Sequence, residues 1–273
     1  MITFPNSKIN FGLNILNKRS NGYHDLETCI YPLLWHDILE IVPSKSFSFV
    51  QTGRAIPGDP KLNLCVKAYK LIKKYYQIPP TNIHLHKIIP TGAGLGGGSA
   101  DAAFTLKMIN QLFLLKISNK RLKYYASLLG SDCPFFIDNL PAIASETGTK
   151  LQPYELNLSK YYIIVIFTDL HVKTSDSYAH IQPRIPKNSL RTSLKNLKKW
   201  HAILRNDFEP QLFNKTPLLA DIKSRLYEQG AFYASMSGSG SAIYGLFENP
   251  PAISAFQKYE CVVRSLGLPS QLS

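Results

Sequence analysis

Apolar and polar residues follow two periods along this chain, and the switches between them mark its elements. Up to about Val50 the sequence is rich in strand formers. From Asn63 to Gln77, Leu64, Ala68, Leu71, Ile72 and Tyr75 fall on one side of a predicted helix. Ile83-His84-Leu85-His86-Lys87-Ile88-Ile89-Pro90 alternates as a half-exposed strand does and ends at a proline. A glycine-rich stretch follows, then an Ala-rich helix with Leu106, Ile109 and Leu112 at core spacing. Ser118 is placed to cap a helix carrying Leu122, Tyr125, Ala126 and Leu129. Gly130 ends that helix and leaves Asp132 in the loop beyond.

The second half opens with a continuous apolar run, Ile163-Ile164-Val165-Ile166-Phe167, the core of a predicted strand from Tyr162 to Phe167. Thr216-Pro217 starts a helix through Leu218, Leu219, Ile222 and Leu226 that stops at Gly230. Ala231 to Met236 and Ala242 to Phe247 read as a hairpin joined by a Ser-Gly turn. Composition changes little near Lys150 to Ser159, but Pro153 and the strand after it mark the best boundary, giving segments 1–152 and 153–273. No repeat or low-complexity segment is present.

A chain of 273 residues with 45% hydrophobic content can bury a sizeable core in one or two domains, which excludes a disordered chain. Cys29, Cys65, Cys133 and Cys261 are widely spaced with no Cys-x-x-Cys pair, so neither a zinc site nor a disulfide framework is indicated, and a reducing cytosol fits. No signal-peptide pattern opens the sequence, and the longest apolar run suits a buried strand rather than a membrane span, so a soluble cytoplasmic protein is expected. The net charge of +13, with Arg184, Lys187, Arg191, Lys195, Lys198, Lys199 and Arg205 close together, admits a nucleic-acid reading. Mixed spacing on a predicted helix favours a solvated face instead, and a basic surface also attracts phosphorylated small molecules.

The chemistry concentrates in Pro90-Thr91-Gly92-Ala93-Gly94-Leu95-Gly96-Gly97-Gly98-Ser99-Ala100, five glycines ahead of a helix. Glycine backbone can adopt positive φ and bring N–H groups against an anion, and the helix end adds its unsatisfied donors and positive dipole. The loop is therefore a candidate phosphate cradle. It is not a Walker A loop, because Ser99 stands where that pattern needs lysine, and the loose Gly-x-Gly-x-x-Gly spacing lacks the buried parallel strand of a Rossmann unit. Asp101 sits one turn inside the positive helix end, where a carboxylate is comfortable only if it faces away from bound phosphate or engages metal.

The pattern Pro-x-Gly-x-Gly-Leu-Gly-Gly-Gly-Ser-Ala-Asp-Ala-Ala resembles the ATP-binding motif of the GHMP kinases, named for galactokinase, homoserine, mevalonate and phosphomevalonate kinases. Lys8-Ile9-Asn10-Phe11-Gly12-Leu13, Asn21-Gly22-Tyr23-His24-Asp25, Gly130-Ser131-Asp132-Cys133-Pro134 and Ser235-Met236-Ser237-Gly238-Ser239-Gly240 follow in that family's order. Asn206-Asp207-Phe208-Glu209-Pro210 matches a further family segment, expected to position the C-terminal half. The resemblance spans nearly the whole chain. It is greatest to the members that phosphorylate 4-diphosphocytidyl-2-C-methyl-D-erythritol in non-mevalonate isoprenoid synthesis.

That resemblance implies an α+β, two-domain GHMP kinase fold, with a ribosomal protein S5 domain 2-like N-terminal part and a ferredoxin-like α/β C-terminal part. It implies ATP and Mg²⁺ as cofactors, with residues 90–100 holding the phosphates and the Ser99 hydroxyl touching phosphate or metal. Asp132 becomes the base for the substrate hydroxyl, and Lys8 the cation that orients it. A lysine beside a carboxylate keeps the latter ionised and favours an incipient alkoxide. Tyr23 and His24 would stack on and hydrogen-bond a cytosine, with Asn10 in the same pocket and Tyr178 as a candidate opposite face. Lys87 and Asn63 lie near the expected adenine pocket. Cys133, beside the base, is read as a buried inert thiol rather than a reactive one. The expected partners are small molecules, without nucleic acid or membrane, acting on a monomer or weak homodimer. Two alternatives remain open: a GHMP kinase for another alcohol, and an RNA-binding module.

Overall fold

The computed structural model describes residues 1–168, 170, 177–178 and 181–267. By contact the chain divides into two compact units, neither contiguous in sequence. One comprises Met1–Ser7, Trp35–Thr91 and Gly96–Leu140; the other comprises Lys8–Leu34, Gly92–Leu95 and Pro141–Ser273.

The first unit holds a four-stranded sheet of β1 (Ile2–Thr3), β4 (Ile38–Pro43), β6 (Thr81–Lys87) and β5 (Ser48–Gly53), in that order. β4 and β6 are antiparallel, while β5 and β6 run parallel from Ser48↔Asn82 to Gly53↔Lys87. Parallel neighbours need a long crossover. It is supplied by α1 (Leu64–Tyr75), which packs on α2 (Gly97–Leu112). The Asn63 side chain opens α1 by accepting from the Cys65 N–H at 2.8 Å. The expected alternation of β6 is present: Ile83, Leu85 and Lys87 are buried and His84 and His86 half-buried.

α1 is turned from its predicted face, with Leu64 and Leu71 only half-buried. Its buried stripe runs through Cys65, Val66, Ala68, Tyr69 and Ile72, so Tyr75 is 48% exposed and stacks on Tyr125 at 5.4 Å. α3 (Asn119–Ser127) begins at Ser118, which accepts from the Arg121 N–H, and buries Leu122, Tyr125 and Ala126. The Gly130 N–H closes it on Ala126 O at 3.2 Å, and α4 (Phe135–Asp138) follows.

The second unit carries the sheet β2–β3–β7–β8, formed by β2 (Asn6–Lys18), β3 (His24–His36), β7 (Ala142–Ser145) and β8 (Lys150–Pro153); Lys8–Lys18 and His24–Leu34 are the parts of the long strands within the unit. A further sheet orders β10 (Tyr233–Met236), β11 (Ile243–Phe247), β9 (Tyr162–Phe167) and β12 (Glu260–Ser265), all antiparallel. The predicted hairpin is β10–β11. The helix Pro217–Glu228 covers it with Leu219, Ile222 and Leu226, while Leu218 is exposed. Phe11, Tyr31, Trp200, Tyr233 and Tyr244 form a buried aromatic cluster, with ring centroids 4.9 to 6.4 Å apart.

The basic segment after Arg184 is not one helix. It breaks into the short helices Leu190–Leu194 and Trp200–Ile203, with Lys195, Lys198 and Lys199 exposed and Trp200 fully buried. One buried anchor and short capped turns hold the chain there, where a longer helix was expected.

Candidate functional site

The glycine-rich stretch turns through three positive-φ residues, Gly92 (72°), Gly94 (77°) and Gly96 (70°), before α2 begins. Gly96 is the N-cap and brings no side-chain hydrogen bond. The first N–H groups of the helix have no intrahelical acceptor, and together with the dipole they suit an anion. The glycines serve different purposes. A Cβ on Gly94 would lie 1.9 Å from Ser237 O, and one on Gly97 would lie 2.8 Å from Lys87 Nζ, so both glycines permit close packing. A Cβ on Gly98 would meet only Leu64 Cδ1, at 3.8 Å.

Asp132 is presented beside that helix start, within the first unit. A Cβ on Gly130 would lie 3.3 Å from Cys133 Sγ and 4.0 Å from Ser99 Oγ, so the turn from Gly130 to Cys133 rests against the first turn of α2. Cys133 N–H donates to Gly130 O at 3.2 Å, and Phe135 N–H to Asp132 O at 3.3 Å, which holds the turn in shape. Burial pushes the Cys133 thiol up to about 12, and it hydrogen-bonds the Ser99 hydroxyl. The thiol is fully buried and carries little thiolate near neutrality. Asp132 itself is half-buried.

In the second unit, period-2 alternation along β2 places Lys8 and Asn10 on one face, both buried. Lys8 Nζ donates to Asn10 Oδ1 at 2.6 Å, Asn10 Nδ2 to Thr28 Oγ1 at 3.1 Å, and Thr28 Oγ1 to Gly12 O. The same ammonium lies against the serine-glycine loop, 3.4 Å from where a Gly238 Cβ would be. That loop is clasped to residues 93–95. Ser237 Oγ donates to Gly94 O at 2.8 Å, Ala242 N–H to Ala93 O at 3.1 Å and Lys8 N–H to Leu95 O at 2.9 Å.

Tyr23 and His24 occupy the turn between β2 and β3, which Gly22 enters with φ 85°. The turn closes with Arg19 N–H on Tyr23 O at 2.7 Å and an ion pair between Arg19 and Asp25. Tyr23 is 66% exposed, a ring open to solvent. His24 is buried against Tyr178, with centroids 5.1 Å apart and planes 25° apart, and Tyr178 meets Phe208 edge-on. Burial, then the Lys18 charge, hold the His24 imidazole below its ordinary pKa. A neutral imidazole has one donor and one acceptor nitrogen. Tyr178 is thus placed on the histidine, with Tyr23 standing apart as the exposed ring. Within the predicted 173–178 stretch, Ser177 and Tyr178 are described, and the rest lies outside the described residues.

One cluster escaped the sequence reading. Lys87, kept on the buried face of β6 by the same alternation as Ile83 and Leu85, ion-pairs with Asp37 and, at 2.8 Å, with Asp101. Asp37 Oδ1 also accepts the Ile88 and Ile89 N–H groups at 2.6 and 2.8 Å. Asp101 Oδ1 has no hydrogen-bond partner among the described residues. Burial therefore pushes Asp101 up to about 7, against the pull of Lys87. Burial alone would lower the Lys87 ammonium, but Asp101 and Asp37 reverse this and raise it. The side chains of Lys87 and Asn63, expected near an adenine, are thus engaged in an ion triad and a helix cap. Asp101 is turned to Lys87, whose ammonium also lies beside Gly97 at the start of the same helix.

Among the described residues no cluster of His, Cys, Asp and Glu could hold a metal ion, and no helix is long and apolar enough to cross a membrane.

Residues 63–143 match the model of the GHMP kinases N-terminal domain, and residues 188–259 that of the GHMP kinases C-terminal domain. The chain is 50% identical to the 4-diphosphocytidyl-2-C-methyl-D-erythritol kinase of Bacteroides thetaiotaomicron, over 91% of this chain and 92% of the relative. It is 47% identical to the enzyme of the same name from Cytophaga hutchinsonii, over 92% and 94%. A crystal structure of 4-(cytidine 5'-diphospho)-2C-methyl-D-erythritol kinase superposes with a TM-score of 0.84 at 30% identity, covering 96% of this chain and 98% of the other. Relatives this similar over more than nine-tenths of their length, with both domain models matched in order, show that the chain belongs to the 4-diphosphocytidyl-2-C-methyl-D-erythritol kinase family of the GHMP kinases.

Proposed function

We propose that this chain transfers the γ-phosphoryl group of ATP to the 2-hydroxyl of 4-diphosphocytidyl-2-C-methyl-D-erythritol, a step of the non-mevalonate isoprenoid pathway, acting in the cytoplasm on small molecules alone. The observation that carries the reading is the uncapped glycine start of α2 with Ser99 and the Asp132 turn beside it. Phosphoryl transfer asks a protein chiefly for positioning and for stabilisation of charge on the transferred group.

In this reading residues 90–100 hold the triphosphate through backbone N–H groups. Asp132 accepts the proton of the attacking hydroxyl as the new oxygen–phosphorus bond forms and the bond to the β-phosphate oxygen breaks, releasing ADP. Lys8, held by Asn10, orients that hydroxyl and offsets its developing negative charge. The exposed ring of Tyr23 covers one face of the cytosine, and neutral His24, backed by Tyr178, reads its edge. Mg²⁺ bound with ATP would neutralise charge at the phosphates, with the Ser99 hydroxyl at the helix start as the side chain that would touch phosphate or metal.

The test is ADP release from Mg-ATP with the cytidyl alcohol, mevalonate, homoserine and galactose compared side by side. Turnover with the cytidyl substrate alone is expected. Turnover only with another alcohol would overturn the roles of Tyr23 and His24 while keeping the anion site. No turnover with any, together with salt-sensitive RNA binding, would overturn the kinase reading.

A further inference from the structure

The segment Arg205–Glu209 of the second unit buries Asn206, Phe208 and Glu209 and touches two parts that the proposed chemistry uses. On one side it bonds to β2, the strand that carries Lys8. Leu13 N–H donates to Arg205 O at 2.7 Å and Asp207 N–H to Leu13 O at 2.9 Å, so Leu13 and Asn206 form a parallel bridge. Ile15 N–H adds a bond to Asp207 Oδ2 at 2.8 Å. On the other side it grips the serine-glycine loop. Asn206 Nδ2 donates to Met236 O at 2.9 Å and to Gly238 O at 2.8 Å, which uses both its hydrogens. Asn206 Oδ1 accepts the Phe208 N–H at 3.0 Å. Glu209 Oε1 takes the Met236 N–H at 2.8 Å.

Asn206 is 2% exposed and its amide is fully satisfied, so its orientation is fixed rather than chosen between alternatives. The two carbonyls it holds flank Ser237, the residue clasped to Gly94, and Gly238 is the one against which Lys8 Nζ lies. We propose that Asn206 is a positioning residue for phosphoryl transfer: its amide sets the spacing between the Lys8 strand and the Met236–Gly240 loop. It acts through Lys8 and the loop and touches no substrate. The role rests on Lys8 and the glycine-rich stretch serving as proposed above.

No side chain but a correctly turned amide supplies two donors and one acceptor in this geometry. Asn206→Asp keeps the shape and the acceptor for Phe208 N–H but turns a carboxylate toward two carbonyl oxygens. When protonated it regains one O–H donor. Asn206→Asp should therefore lose at least 30-fold in kcat at pH 8, with KM for ATP changed less than threefold. Its kcat relative to wild type should recover several-fold as the pH falls toward 6. Asn206→Ala should lose kcat similarly with no such recovery.

Ile222→Ala, a core truncation in the same unit, serves as the comparison, with all variants assayed at a temperature where each is folded. It should lower Tm and leave kcat within twofold. The proposal is overturned if Asn206→Asp keeps kcat within threefold of wild type. It is equally overturned if kcat falls in step with Tm in all three variants, or if Asn206→Asp shows no recovery at low pH. Should wild type transfer phosphate only to a different alcohol, the comparison is run on that alcohol, so the substrate reading can fail without deciding this one.

Discussion

Lys87→Met tests the buried triad most directly, because methionine keeps the length of the stem and removes only the charge. Asp37 would keep its two backbone N–H donors, whereas Asp101, already with one oxygen unpartnered, would lose the ammonium at 2.8 Å. Removing one partner of a buried ion pair costs about 3–5 kcal/mol. For a protein of this size each kcal/mol lowers Tm by roughly 2–4 °C, so a loss of about 6–20 °C is expected.

The loss should also depend on pH. Asp101 has a folded pKa raised from 3.8 to about 7, so its contribution is favourable below about pH 4 and fades as pH rises through 7. Without Lys87 the folded pKa rises further, and the fading extends above pH 7. Thermal unfolding followed by circular dichroism should therefore find the variant further below wild type at pH 8 than at pH 6. Asp101→Asn should flatten the wild-type slope between pH 4 and 7. A Tm within 3 °C of wild type at pH 8, or an equal loss at both pH values, would refute the account of the triad.

Gly94→Ala should destabilise by about 1–3 kcal/mol through its φ of 77° alone, before the clash with Ser237 O is counted, and a Tm within 1 °C of wild type would contradict this. Gly98→Ala meets only Leu64 Cδ1 and gains up to about 1 kcal/mol of helix propensity, so an unchanged or higher Tm with a raised KM for ATP is expected; an unchanged KM would remove Gly98 from the phosphate site. Asp132→Asn should lower kcat by about 10²–10⁴-fold with ATP binding, followed by calorimetry, retained. Near-normal turnover would rule out its role as base. Tyr23→Ala should raise KM for the cytidyl substrate by roughly 5- to 150-fold, the equivalent of about 1–3 kcal/mol of stacking, and leave KM for ATP alone; equal effects on both would refute stacking.

Elements whose signals are local were legible in the sequence. Ser118 caps its helix through a bond three residues long, and Gly130 ends α3 by a bond to Ala126. The β10–β11 hairpin follows from apolar runs bounded by glycine and proline, and β9 from its continuous apolar run. The alternation of β6 was legible too, but not that it carries Lys87 to the buried side beside Ile83 and Leu85. The error at Tyr75 has the same origin: apolar spacing identifies a helix face to within a residue or so, and packing chooses which edge of that face is covered.

What periodicity misses are contacts between residues far apart in sequence. Asp37 and Lys87 are 50 positions apart, Asn206 and Gly238 32, and Ser237 and Gly94 143. Each involves a polar side chain that sequence alone would place at the surface, and each closes on a backbone atom or an opposite charge brought near by the sheets. The cost of leaving such groups unpaired in the interior makes their geometry exacting. A run of glycines shows the same limit from the other side. Gly94, Gly97 and Gly98 are the same letter, yet one gives way to a carbonyl, one to an ammonium, and one leaves open space beside the helix start. Gly98 alone of the three meets only a flexible side-chain end, so Gly98→Ala separates packing from the proposed phosphate role in a way that Gly94→Ala cannot.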